Sequence, residues 1–351
     1  MTDKKGETRR MSTGRMVLLD LLAILLGLNV FALFHHVIPA WFPRPVEGSV
    51  LATPAPEQPE DRPEAVMTPT PEPEENPAPT ETPAPTESAP PATERPLRSG
   101  VWGEKFAEQF TDGEIIETED SYRSAHISVT VRTVEEERLV YHVAEVYVSD
   151  LKYLRCALGH DEWARSEDPV ELAQRHHAVL ALSGDHYFGR LEGFVIRDGV
   201  LFRESRNEDL CVLLRDGQML TYPDEDLDPE ALKAQAPWQV WSFGPRLLEE
   251  GRAREEIPST IGRANPRAAI GCVEPGHYFF VQVEGRGGYE SDGMTLLQLA
   301  ALFEELGCQT AYNLDGGRTA AMIWKGERLS YPYGRPVYDL IYITDEEEET
   351  P

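Results

Sequence analysis

The chain has 351 residues, with 61 acidic against 33 basic side chains and a formal net charge of −28. That balance excludes a nucleic-acid partner, because phosphate backbones are met by basic patches. Length alone allows one large domain or two, but the prolines crowd towards the N-terminus, which leaves about 250 residues able to bury a single substantial core.

In chain order, residues 1–15 form a basic cytoplasmic tail with Lys4, Lys5, Arg9, Arg10 and Arg15. The nearly continuous apolar run MVLLDLLAILLGLNVFALF follows over residues 16–34, about long enough to cross a ~30 Å hydrocarbon core as a helix. Residues 16–38 are therefore expected to be a single transmembrane signal anchor. The positive-inside rule keeps the N-terminus in the cytoplasm and puts the rest of the chain outside the cell membrane. A cleaved signal peptide competes with this reading. The uncleaved anchor is favoured because HHVIPAWFPRP is not preceded by a persuasive small-x-small site, and Trp41 and Phe42 suit an interfacial belt.

Residues 39–98 are dominated by Pro, Thr, Glu and Ala, including the short repeat PAPTETPAPTE. Such a composition cannot bury a core and favours polyproline II, so a disordered, semi-rigid linker is expected. At ~3.1 Å per residue it spans well over ~100 Å, a reach that suits work within a cell wall.

Residues 99–345 carry the folded part, followed by the acidic tail 346–351. Periodicity indicates an α+β fold of mixed β-sheets with a few packed helices in one globular domain. HISVTVRT and LVYHVAEVYVSD alternate like a half-buried hairpin, while HAVLALSGD is a short apolar run suited to a buried central strand. FVIRDGVLFRE and CVLLRDGQMLTY carry hairpin signals at Asp198-Gly199 and Asp216-Gly217. TLLQLAALFEELG is the clearest helix: Thr295 and Gln298 form a capping box. Leu296, Leu299, Ala300, Phe303 and Leu306 make one stripe, and Gly307 fits C′. The strand CQTAYNL follows at once.

Cys156, Cys211, Cys272 and Cys308 lack C-x-x-C spacing. Buried free thiols are favoured over zinc ligands, and disulfides stay open outside the cell. His176 and His177 are adjacent and point different ways, so no metal site is expected. Trp238 and Trp241 suit core packing above sugar stacking.

Polar turns after apolar strands hold the candidate chemistry. Asp185 and His186 follow AVLAL, Arg267 opens RAAIGCV, Arg286 follows an aromatic strand, and Asn313-Leu314-Asp315-Gly316-Gly317-Arg318 ends CQTAYNL. A plain turn explains Asp315-Gly316, and a strand-end cap explains Asp185. His186 is either a proton carrier or a packed structural residue. Neither turn nor cap explains several arginines beside two carboxylates. An anionic substrate does: Arg267 as a fork onto phosphate, and the Gly316-Gly317 backbone as an anion cradle.

ALSGDHYFG, GFVIRDGVL, WSFGPRLLEEG, NPRAAIGCV, GYESDGMTLLQLAALFEELGC, AYNLDGGRTAAMIWKG and VYDLIYI stand in an order that resembles the phosphodiester glycosidase family, over roughly residues 140 to 344. The anchor and linker resemble bacterial surface members. The resemblance implies that Asp185 and Asp315 are catalytic. It implies that Arg267, Asn313, Gly316 and Gly317 bind substrate or phosphate, with Arg286 an addition to them. Arg318, Thr319 and His186 join the substrate- and phosphate-binding candidates from their own chemistry and place beside these residues. No cofactor is implied.

The chain departs from the family in two places. Ser183 stands where asparagine is common, and Gly316-Gly317-Arg318-Thr319-Ala320-Ala321 replaces a Gly-Gly-Gly-Ser-Ser-Thr run, which bears on sugar specificity. The expected activity is hydrolysis of a sugar 1-phosphodiester, such as that of N-acetylglucosamine, in cell-surface phosphoglycans. The rival is a catalytically silent module that binds anionic cell-wall polysaccharide.

Overall fold

The computed structural model describes residues 49–50, 100–189, 192–205, 209–223, 227–332 and 334–346. The expected anchor, nearly all of the expected linker and the end of the acidic tail lie outside them. Among the described residues no helix is long and apolar enough to cross a membrane.

The described part is mostly β-sheet with a few helices. A seven-stranded sheet runs Thr310–Asn313, Arg267–Glu274, His277–Val283, Leu139–Val148, Ile127–Glu136, Ser121–Arg123 and Ile116–Glu117 in spatial order. A five-stranded sheet runs Glu327–Arg328, Met322–Trp324, Leu180–Ser183, Asp339–Ile343 and Leu154–Leu158. A six-stranded sheet runs Ser49–Val50, Val200–Arg203, Val195–Arg197, Gln239–Trp241, Asp209–Leu213 and Met219–Pro223. Ser49–Val50, within the stretch read as linker, thus adds an edge strand beside Val200–Arg203.

The expected hairpins form where the turn residues place them. Ile127–Glu136 pairs with Leu139–Val148, Asp198-Gly199 joins Val195–Arg197 to Val200–Arg203, and the Asp216 carboxylate accepts from the Gln218 N–H at 3.0 Å to close the third.

The sheets are antiparallel throughout the described pairings, where mixed sheets were expected. The reason lies at one crossover. A helix does carry the chain from His277–Val283 to Thr310–Asn313, but Arg267–Glu274 lies between those strands and pairs antiparallel with both. One edge of the sheet therefore collects the ends of Thr310–Asn313 and His277–Val283 and the beginning of Arg267–Glu274.

Each large sheet buries one short helix. Helix α1 (Pro169–Arg175) covers the five-stranded sheet through Leu172 and Ala173, and α2 (Pro229–Ala234) covers the six-stranded sheet through Leu232. Helix α3 (Leu296–Glu305) lies on the seven-stranded sheet. Its capping box is present: Gln298 N–H donates to Thr295 Oγ1 at 3.2 Å, and Thr295 N–H donates to Gln298 Oε1 at 2.9 Å. Leu296, Leu299, Ala300 and Phe303 are buried against Val143, Phe279, Val281 and Ala311, each large side chain contributing roughly 1.5–3 kcal/mol. The largest cluster joins the sheets themselves through Val146, Tyr153, Leu182, Trp238, Trp241, Ile270, Tyr312 and Ile341. Trp238 and Trp241 are core residues, and all four cysteines are free and buried.

Candidate active site

Ends of the three large sheets converge on Asp315. The ladder beside Arg267–Glu274 continues past Asn313, with Leu314 N–H donating to Ala268 O at 2.8 Å. Asp315 N–H then reaches Gly184 O at 3.0 Å, which ties this turn to the end of Leu180–Ser183. Gly317 N–H donates to Pro266 O at 2.9 Å. The two glycines are required by these approaches. A Cβ on Gly316 would stand 2.6 Å from Pro266 O, and Gly317 has φ +63°. The expected anion cradle is thereby reduced, because the Gly317 N–H is already spent on Pro266.

A cavity of about 260 Å³ opens over this turn, lined by Phe243, Ile261, Asn265 and Gly316-Gly317 together with the charged residues Arg267, Arg286, Arg318, Arg335 and Asp315. Four guanidinium groups face one carboxylate. The Asp315 side chain is only 12% exposed, with Arg335 Nη2 at 3.6 Å and His186 Nδ1 at 3.5 Å from Oδ2. The Thr319 hydroxyl lies 2.6 Å from both Asp315 Oδ2 and Gly316 O. Burial pushes the Asp315 carboxyl above the usual aspartate range, with the Thr319 bond and the charges of His186 and Arg335 pulling it back and that of Asp185 adding to the rise.

Arg267 is 2% exposed. Its Nε donates to Met294 O at 3.0 Å, and its Nη2 to Ile261 O at 2.6 Å and Arg263 O at 2.5 Å. One edge of the guanidinium thus pins the 261–265 loop, so the two-pronged grip on phosphate expected of it is unavailable and Nη1 is left for the cavity. Burial lowers its pKa to about 10, which keeps the cation at neutral pH, and among the described residues it has no carboxylate partner. Arg286 is exposed at φ +55°, steadied by the Asn265 Oδ1 acceptor at 3.2 Å from Nη2. Arg318 is exposed on the rim, and its carbonyl accepts from Arg335 N–H at 2.9 Å, which brings Arg335 over Asp315.

Three of the expected site residues lie behind the cavity wall. Asp185 is buried; its Oδ2 accepts from Ser242 N–H at 2.7 Å and stands 3.5 Å from Arg197 Nη2, while its own N–H donates to Asp339 Oδ1 at 2.6 Å. Arg197 Nη2 also meets Asp339 Oδ2 at 2.7 Å, so one arginine serves two carboxylates. Asn313 Nδ2 donates to Gly244 O at 2.7 Å beside the cis Gly244-Pro245 bond, and its buried Oδ1 has no partner among the described residues. It braces the segment that carries Phe243. Thr319 is buried, its hydroxyl committed to the Asp315 turn.

Arg197, Asp339, Phe243 and Arg335 were not singled out from the sequence. The first two had a signal, being charges inside the apolar runs FVIRDG and VYDLIYI; Arg335 had none. His176 Nε2 pairs with Asp161 at 2.9 Å while His177 turns to Glu346 at 3.7 Å, and among the described residues no three metal-ligating side chains cluster. Ala321, one of the departures from the glycosidase pattern, packs in the core with Ala181 and Ile323, and its N–H donates to Ser183 Oγ at 3.2 Å.

Residues 176–344 match the family model described as phosphodiester glycosidase. The SPbeta prophage-derived uncharacterized protein YomE of Bacillus subtilis (strain 168) is 28% identical over 197 residues, 52% of this chain and 30% of that protein. The chain therefore spans under a third of the length of this curated relative. Among solved structures, the catalytic domain of zebrafish N-acetylglucosamine-1-phosphodiester alpha-N-acetylglucosaminidase, auto-inhibited by its pro-peptide, shares the fold. It is 20% identical, covers 63% of this chain and 84% of its own, and has a TM-score of 0.50.

Proposed function

We propose, from the premise that residues 176–344 are a phosphodiester glycosidase domain, that the protein hydrolyses the glycosidic bond of a sugar 1-phosphodiester and releases the sugar. The observation that carries this reading is the cavity in which Arg267, Arg286, Arg318 and Arg335 surround the buried carboxylate of Asp315. Excess positive charge accepts the phosphodiester, and the carboxylate reaches its neighbouring carbon.

Glycosidases commonly use two carboxyl groups, one as acid. A departing phosphate monoester, with its second pKa about 6, asks less of an acid than an alcohol does. Arginines placed where its charge develops stabilise it further. Attack at the anomeric carbon then falls to Asp315, either through a water whose proton it takes, or directly, with water then cleaving the glycosyl ester to free the sugar and restore the carboxylate. The C–O electron pair leaves with the phosphate oxygen as the phosphomonoester. Asp185 is given a positioning role: through Ser242, Arg197 and Asp339 it holds the turn that carries Gly184 O and His186 against Asp315.

The basic tail and apolar run of residues 1–38 support placing this activity outside the cell membrane, on a single-pass anchor, with a cell-wall or other surface phosphoglycan as substrate. A second reading, a silent module that binds anionic cell-wall polysaccharide, is favoured by one feature, the single carboxylate that lines the cavity.

The test incubates the full chain with N-acetylglucosamine 1-phosphodiester and a panel of other sugar 1-phosphodiesters, quantifying free sugar and phosphomonoester. Release that drops at least ~10³-fold in Asp315→Asn is the expected result. Undiminished release in that variant removes Asp315 from the chemistry, and binding without product selects the silent module.

A further inference from the structure

Ser49–Val50 is the one described segment before residue 100. Its backbone pairs antiparallel with Val200–Arg203, Ser49 opposite Leu201 and Val50 opposite Val200. It thereby covers an edge of the six-stranded sheet that would otherwise present unpaired N–H and C=O groups. The sequence suits the pairing, because a ladder strand needs the N–H that proline lacks. VEGSVLA, residues 46–52, is free of proline between Pro45 and Pro54.

This pairing divides the region read as one linker into two lengths of different meaning. Residues 51–99 leave the domain at Val50 and rejoin it at Gly100, where Trp102 N–H donates to Ser149 O at 2.8 Å and the Trp102 ring enters the main core. Whatever its own extension, a segment tied at both ends to one domain adds nothing to the distance between that domain and an anchor. The distance is then set by residues 39–48 alone, which span at most ~35 Å when fully extended. As an open spacer, residues 39–98 would give well over ~100 Å.

The tethered strand is also joined firmly to the site. Phe202, on that strand, stacks on Trp163 at 5.5 Å between centroids, and Trp163 on Tyr187 at 4.4 Å. Tyr338 contacts both Tyr187 and His186, whose Nδ1 is 3.5 Å from Asp315 Oδ2. Close-packed side chains transmit position, so a tether on Val200–Arg203 also fixes how far the Asp315 cavity stands from the bilayer. A short tether concentrates that cavity over substrates in its own membrane, since effective concentration falls roughly as the −3/2 power of tether length.

We propose that residues 39–48 are the working tether, that residues 51–99 form a side loop and not a spacer, and that the substrate is a sugar 1-phosphodiester borne on a lipid at the outer face of the membrane. The inference rests on residues 16–38 as the anchor and on the Asp315 cavity as the phosphodiester site.

The test puts the full chain in dilute liposomes with two probes: N-acetylglucosamine 1-phosphate esterified to a hexadecyl chain in the bilayer, and the same phosphate esterified with methanol in solution. Inserting about 40 Pro/Thr/Glu-rich residues between Pro43 and Arg44 should lower cleavage of the lipid ester about tenfold. Excising residues 55–94 should leave it unchanged, and neither variant should alter cleavage of the methyl ester. An insertion without effect overturns the proposal. So does an excision that raises lipid-ester cleavage about fivefold, the gain from shortening a true spacer. The pairing is checked by Ser49→Cys with Leu201→Cys, which should form a disulfide under mild oxidation because directly opposed strand residues have the required Cα spacing. Ser49→Cys with Glu137→Cys should not, and failure of the first pair to close overturns the docking. If neither ester is cleaved, the hydrolytic reading fails and the lipid substrate with it. Energy transfer from a dye on Glu137→Cys to a bilayer dye then decides the tether alone, the native cysteines being buried. A signal lowered by the insertion and unmoved by the excision upholds it; the reverse, or a chain that washes off the liposomes, overturns it.

Discussion

Two arginine–carboxylate assemblies lie back to back beneath and above the Gly184 turn, and they are built on opposite plans. In the lower one, buried Arg197 stands between Asp185 and Asp339, so one cation answers two carboxylates and every edge of the guanidinium is committed, including to Ile196 O and Val240 O. In the upper one, Arg267, Arg286, Arg318 and Arg335 answer Asp315 alone. Committed and dry, the ions of the lower assembly are an element of the fold; in cationic excess and open, those of the upper one are a demand for an anion. A cluster of Asp and Arg in sequence therefore does not by itself announce a site. Whether the charges are already answered decides it.

The largest effect on this contrast should come from Arg197→Met, which keeps bulk and leaves Asp185 and Asp339 facing each other in the interior. Breaking a buried pair from one side typically costs about 3–5 kcal/mol, so the urea midpoint at neutral pH should fall steeply. Adding Asp339→Asn should recover part of the loss. Wild-type stability in Arg197→Met would mean that the lower assembly is not holding the fold, and the contrast would collapse. Next in size is Arg267→Lys. The charge stays, but an ammonium cannot bond Met294, Ile261 and Arg263 carbonyls while facing the cavity. Sugar release should lose about tenfold to a hundredfold in kcat/KM with the fold kept, and an unchanged rate would place the phosphate away from Arg267.

The sequence shows local devices well and destinations poorly. Asp198-Gly199, Asp216-Gly217 and the Thr295–Gln298 capping box are legible because the residues that make each device are neighbours in the chain. The Asp315-Gly316-Gly317 turn is legible for the same reason, and the structure adds why glycines are needed: Pro266 O passes where a Cβ would stand. Asp185, Asn313 and Thr319 read like site residues because polar groups at strand ends usually face solvent, yet each finds its partner inside, at Ser242, Gly244 and Asp315. Those partners are set by strand order, which the spacing of apolar residues does not encode. Arg335 is the extreme case, since it is brought over Asp315 by the bond from its N–H to Arg318 O, a residue of another turn.

A third polar assembly tests how far the contrast extends, with the smallest effect. His142 is buried, its Nδ1 within 2.9 Å of Thr133 Oγ1 and its Nε2, without a hydrogen-bond partner among the described residues, 3.9 Å from Glu284 Oε1. Burial holds the imidazole pKa down to about 4, while burial pushes the Glu284 carboxyl up. The unfolded chain takes a proton on this histidine near pH ~6.5. Between there and about 4 the unfolded state binds a proton that the folded state refuses, so stability from this group is present at neutral pH and is lost as pH falls through that window. Glu284 works the other way, since its raised carboxyl takes up a proton in the folded state first and offsets part of the loss. The net contribution of His142 should be about 1–2 kcal/mol, seen as a stability gap between wild type and His142→Gln that shifts by that amount, against the wild type, as urea melts move from pH 7 to pH 4.5. A gap that does not shift would mean that His142 stays protonated against Glu284 in the folded protein, and this assembly would then follow the committed plan of Arg197.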